Sequence, residues 1–139
     1  MLERSRWIRY SAKKVPLTIE GHAASSTDPT TWASHREASN STAGIGLGYV
    51  LGDGIGCIDL DHCLDDGHPN DAARQLLQRY PRNWIEVSPS GDGLHIFGAL
   101  AEQPGTKRTV NGLSIETYSV GRYITVTGNT FQRGQLLPL

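Results

Sequence analysis

Apolar residues in this chain come in short runs, such as Trp7–Tyr10, Ile55–Leu60, Leu94–Phe97 and Tyr123–Thr127, each closed by glycine, proline or a polar turn former. That punctuation favours many short strands joined by tight turns, because glycine supplies the positive φ that turns need and proline ends a ladder. It also excludes a membrane-spanning helix, which requires ~20 consecutive apolar residues. The 16 glycines and 7 prolines are scattered through 139 residues without a repeat, so they mark turns and do not indicate a disordered or collagen-like chain.

A chain of this length holds one domain, read here as 1–139, with an N-terminal part over about 1–52 and a core over 53–139. Thirteen basic and 14 acidic side chains leave a formal charge of −1, which excludes a global cationic field for nucleic acid. Contacts with nucleic acid must then be local. Two cysteines, Cys57 inside an apolar run and Cys63, suit a reducing compartment, and the first ten residues lack the apolar core of a signal peptide, so a cytoplasmic protein is expected. No structural zinc is expected, since Cys57, His62 and Cys63 do not form the close ligand pairs such sites use. The sequence stops at Leu139 shortly after the last predicted strand, without a linker-like tail, and so reads as a piece of a longer protein.

Trp7–Tyr10 and Val15–Ile19 predict an N-terminal hairpin. Asp28-Pro29 predicts the start of a helix running to about Ala38. The runs Ile45–Leu51 and Ile55–Leu60 flank Gly52-Asp53-Gly54 and predict a second hairpin. Asn70 predicts a cap for a helix through Tyr80, whose Ala72, Ala73, Leu76 and Leu77 form one stripe. Trp84–Val87 and Leu94–Phe97 predict strands around a turn-rich loop, a polar loop containing Lys107 and Arg108 follows, and Leu113–Tyr118 and Tyr123–Thr127 predict two more strands.

Three segments carry chemistry. In Ile58-Asp59-Leu60-Asp61 the two carboxylates fall on one strand face, ~6.6 Å apart at Cα. Two aspartates on a strand destabilise it unless a cation or hydrogen bonds compensate, and magnesium takes such oxygen ligands while keeping coordination sites for a triphosphate. The alternative is an exposed strand end at which one aspartate caps a turn; the pair by itself leaves both readings open. In Ser88-Pro89-Ser90-Gly91-Asp92-Gly93-Leu94-His95 the glycines admit close backbone approach, while Ser88, Ser90 and His95 offer donors to phosphate, against a plain β-turn with a satisfied histidine. Glu116 sits in a β-branched run and completes an acidic trio, or else forms a surface ion pair with Arg122 or Lys107. Arg122, as a grip for phosphate, and Lys14 are added as nucleotide-binding candidates.

Taken in order, Asp59-x-Asp61, then Ser90-Gly-x-Gly-x-His95, then Glu116 resembles the bifunctional primase/polymerase domain of the archaeo-eukaryotic primase superfamily, found at the N-terminus of phage and plasmid replication proteins. Ser26-Thr27-Asp28-Pro29-x-x-Trp32 and Gly44–Gly52 resemble the stretch before the first motif in that family. The resemblance implies an α/β (α+β) fold: an RNA-recognition-motif-like mixed sheet with flanking helices and a small N-terminal α/β part. It implies that Asp59, Asp61 and Glu116 are catalytic ligands for two Mg2+ or Mn2+ ions. Ser88, Ser90, Gly91, Gly93 and His95 would bind the nucleotide. Nucleoside triphosphates, a single-stranded DNA template with its primer, and a helicase domain in the full-length protein are the implied partners, with no membrane and a monomeric state.

Two rival readings remain open on the sequence. A metal-dependent nuclease also uses clustered acids, although Tyr118 stands where restriction-type sites place a lysine after the strand acid. A non-catalytic binding module for nucleotide or single-stranded nucleic acid would need Phe97, Tyr118 and Tyr123 facing outward on one sheet.

Overall fold

A computed structural model describes residues 1–139. In chain order the strands are β1 (Trp7–Tyr10), β2 (Pro16–Leu17), β3 (Gly46–Val50), β4 (Ile55–Asp61), β5 (Leu64–Asp65), β6 (His68–Pro69), β7 (Ile85–Val87), β8 (Leu94–Ala99), β9 (Thr106–Val110), β10 (Leu113–Tyr118), β11 (Tyr123–Val126) and β12 (Thr130–Gln132). The α-helices are α1 (His35–Asn40) and α2 (Asp71–Leu77). The fold is α+β, as the resemblance implies, and every pair of named strands is antiparallel.

The chain divides into two compact units. The first comprises Met1–Leu51 and Gly121–Val126 and holds the sheet β11-β3-β1-β2. Its β1–β2 hairpin forms as predicted. The single helix expected from Asp28 does not. Asp28 caps only a 3-10 turn, Pro29–Thr31, after which Trp32 is extended and Ala33 pairs with Trp7. Ser34 then starts α1 with a capping box: its hydroxyl accepts from the Glu37 amide while the Glu37 carboxylate accepts from the Ser34 amide.

The predicted β3–β4 hairpin is also absent. β3 pairs with β1 and β11, whereas β4 lies in the sheet of the other unit. The glycines of β3 explain the pairing: a Cβ on Gly46 would meet the Tyr10 hydroxyl at 2.7 Å and its ring at 2.9 Å, and one on Gly48 would meet the Tyr123 ring at 2.7 Å. The missing side chains are where the neighbouring tyrosine rings lie, so β3 fits between β1 and β11.

The second unit comprises Gly52–Val120 and Thr127–Leu139 and holds the sheet β12-β7-β8-β4-β10-β9. Ile58, Leu60, Ile85, Leu94, Ile96, Leu113 and Ile115 occupy one face of it and pack with Ala73, Leu76 and Tyr80 from α2 and the turn after it. Each such aliphatic side chain, fully buried, contributes on the order of 1.5–3 kcal/mol. Asn70 caps α2 by accepting from the Ala73 amide, as its position predicts. The segment read as a polar loop is strand β9, which pairs with β10 across Asn111-Gly112. Both turn residues have positive φ, 51° and 79°, the geometry of a two-residue hairpin turn.

Candidate active site

Because α2 takes the aliphatic face of the sheet, alternation along β4 puts Asp59 and Asp61 on the opposite face. Strand register then supplies their neighbours. Asp59 stands between His95 of β8 and Glu116 of β10, and Asp61 stands opposite Ser114. The row extends to Glu86 of β7 beside His95 and to Lys107 of β9 beside Glu116, so five strands each place one ionisable side chain in it.

His95 is 4% exposed, and its Nε2 lies 3.5 Å from Asp59 Oδ1. Lys107 Nζ lies 2.9 Å from Glu116 Oε1, so the ion pair weighed from the sequence forms with Lys107. Burial pushes the Asp61 carboxyl above its ordinary range, and the charges of Asp59 and Glu116 push it further, against the opposing effect of His62 and His95. The charges of Asp59 and Glu116 therefore reach Asp61 and disfavour its ionisation.

Carboxylate oxygens are the donors that a hard divalent cation takes, and a cation would relieve this repulsion, so the donor set fits magnesium or manganese by type. The side chains as they stand do not form a cage: no three His, Cys, Asp or Glu groups close on a common point. Glu116 is turned to Lys107 and Asp59 to His95. The Lys107 side chain is 71% exposed, and an ion pair with one partner so exposed costs only ~0–1 kcal/mol to break.

The loop between β7 and β8 closes with Ser88 N–H donating to Gly93 O and Gly91 N–H donating to Ser88 O. Gly93 is required by close approach, since a Cβ there would meet Leu60 O at 2.7 Å. Gly91 has φ of 83° with open space around it. The serine hydroxyls are joined at 2.9 Å, Ser90 Oγ donates to Asp92 Oδ1 at 2.7 Å, and His62 Nδ1 lies 2.7 Å from Asp92 Oδ2. Hydrogen bonds from Ser90 and His62 hold the Asp92 carboxyl below its ordinary range. The loop thus carries its own anion, which the sequence reading did not single out.

Of the remaining candidates, Lys14 lies in the β1–β2 turn with φ of 64° and Arg122 lies just before β11; both belong to the first unit and are not part of the row that the second unit builds by register. Cys57 and Cys63 are buried free thiols, pushed up by burial, Cys63 to about 11.

The sequence reading also missed Glu86. Only 1% exposed, it accepts from the Thr127 amide at 3.0 Å and the Gly128 amide at 2.9 Å, which anchors the segment leading into β12 behind His95. Its one sequence signal is a glutamate between Ile85 and Val87, in the middle of an apolar strand.

The second unit is thus an antiparallel sheet with a helix on one face and, on the other, Asp59, Asp61 and Glu116 beside a Ser/Gly/His loop. A comparison with protein-family models finds no match. A DNA primase-polymerase of Nitratiruptor phage NrS-1 is 40% identical to this chain over a stretch covering 90% of it. The chain belongs with the primase-polymerase domains, and it spans 19% of the length of that phage protein.

Proposed function

We propose that the chain is the nucleotidyl-transferring domain of an archaeo-eukaryotic-type phage replication primase/polymerase acting in the host cytoplasm, with nucleoside triphosphates and a primed single-stranded DNA template as substrates. The observation that carries this reading is the register of β8, β4 and β10, which aligns His95, Asp59 and Glu116 with Asp61 on the same face. Two magnesium or manganese ions held by Asp59, Asp61 and Glu116 would lower the pKa of a primer 3′-hydroxyl and neutralise charge on the α-phosphate and leaving pyrophosphate. In this reading the His95 ring would donate to a phosphate oxygen, and Ser88 and Ser90 would add hydroxyl donors. No side chain acts as a nucleophile; the residues bind and align.

Primer extension on a labelled template with manganese tests the reading. The wild type lengthens the primer, and Asp59→Ala with Asp61→Ala abolishes lengthening; extension at the wild-type rate by the double variant refutes the metal role. The same gel scores the nuclease reading, which the contact of Lys107 with Glu116 favours, since hydrolysis shortens the primer. The stacking module finds no platform here: Phe97 and Tyr118 are buried, and Tyr123 lies in the other sheet.

A further inference from the structure

The helix-bearing side of the second unit carries arginines away from the carboxylate row. α2 has seven residues, ~10 Å of helix, while six strands span ~24 Å between outer strand axes. One such helix leaves the β9 edge of the sheet exposed. Two clefts lie there, of about 200 and 390 Å3, and Arg79 and Arg108 line both. A third, of about 260 Å3, is lined by Arg82 and Arg133 and adjoins Pro81, just beyond Tyr80 of the second cleft. No aspartate or glutamate lines any of the three.

All four arginines are exposed, and none makes a side-chain hydrogen bond or ion pair. By contrast, Arg6, Arg9 and Arg74 bond to carbonyls or a carboxylate. In a chain of net charge −1, Arg79 and Arg108 without counter-ions in two clefts, with Arg82 and Arg133 in a third that begins one residue along the chain from Tyr80, make a local cationic strip. Guanidinium forks match phosphate oxygens in pairs and also lie flat against bases, which a lysine ammonium does not do. Beside the arginines the accessible lining is Val110 and Asn111 in the first cleft and the half-buried Thr117 in the second, apolar or polar surface that suits sugars and base edges, over a floor closed by the buried Leu113 and Ile115.

We infer that this strip binds the phosphodiester backbone of single-stranded nucleic acid, on the side of the sheet away from Asp59 and Asp61. The inference rests on the reading of the chain as an enzyme of nucleic acid. It names a second contact for the strand, independent of metal.

Fluorescence anisotropy of a labelled oligothymidylate, titrated in chelator at several salt concentrations, tests it. Arg79→Gln with Arg108→Gln keeps the stems and removes the charges; affinity is expected to fall about tenfold or more, and the log–log salt slope to flatten by ~1.4, ~0.7 for each phosphate left without its arginine. Arg82→Gln with Arg133→Gln is expected to act in the same direction. Asp59→Ala with Asp61→Ala is expected to retain binding while losing extension, so that failure of the catalytic reading and failure of this one are separate results. A thermal melt matching wild type confirms that the glutamine variants are folded, and arginine-to-lysine versions serve if it does not. Wild-type affinity and slope in the arginine variants overturn the inference, as does selective loss of binding to a polyglutamate peptide, which would assign the strip to an acidic protein segment.

Discussion

Glu116 stands directly opposite Asp59 in the β10–β4 register, while its carboxylate is held by Lys107 from the edge strand at 2.9 Å. The third acid of the row is therefore in place by backbone pairing and covered by a cation that is easily displaced.

That cover predicts a competition between Lys107 and metal. Lys107→Met removes the charge and keeps the stem, so manganese affinity, read by electron paramagnetic resonance titration, should tighten by up to about fivefold, the equivalent of ~1 kcal/mol. Unchanged or weaker affinity would show that Glu116 does not share its oxygens between lysine and metal.

Glu86 predicts an effect on stability with a defined sign in pH. Glu86→Ala leaves the Thr127 and Gly128 amides without their acceptor and should cost ~2–4 kcal/mol in urea denaturation. In the wild type, burial raises the carboxyl above its ordinary value, outweighing the two amides and the His95 charge that favour ionisation. The folded state thus holds this proton more tightly than the unfolded state, and the contribution of Glu86 to stability falls as pH rises from the ordinary carboxylate range through the raised folded value. Glu86→Gln should abolish that slope. A wild-type stability that instead increases relative to Glu86→Gln over the same window contradicts the assignment.

The loop before His95 predicts an order of severity for two glycine substitutions. Gly93→Ala drives a methyl against Leu60 O, a backbone atom of β4 that cannot yield cheaply, and should cost ~1–3 kcal/mol. Gly91→Ala meets open space and carries only the left-handed backbone penalty of ~1–2 kcal/mol. Thermal denaturation should rank Gly93→Ala below Gly91→Ala, and only the former should also raise KM for nucleotide by moving His95.

Local chemistry was legible in the sequence where it was local. Asn70 and the Ala73/Leu76 stripe announce α2, and the two-residue spacing of Asp59 and Asp61 fixes their shared face whatever the partners of β4. Strand partnership was not legible. β3 and β4 flank a turn sequence as good as any hairpin, yet Gly46 and Gly48 of β3 match the Tyr10 and Tyr123 rings of β1 and β11, a non-local fit that no window of sequence displays. β9 escaped notice because an edge strand exposed along its whole length shows no alternation; only Asn111-Gly112 marked it. Glu86 escaped because the amides it accepts from, those of Thr127 and Gly128, lie some forty positions along the chain.

Anomalous diffraction from crystals soaked with manganese and a non-hydrolysable nucleoside triphosphate measures the central claim directly. The account predicts manganese peaks within ~2.0–2.3 Å of oxygens from Asp59, Asp61 and Glu116, with Glu116 withdrawn from Lys107 and the triphosphate against His95. Peaks that leave Glu116 on Lys107 and avoid the aspartate pair would contradict it.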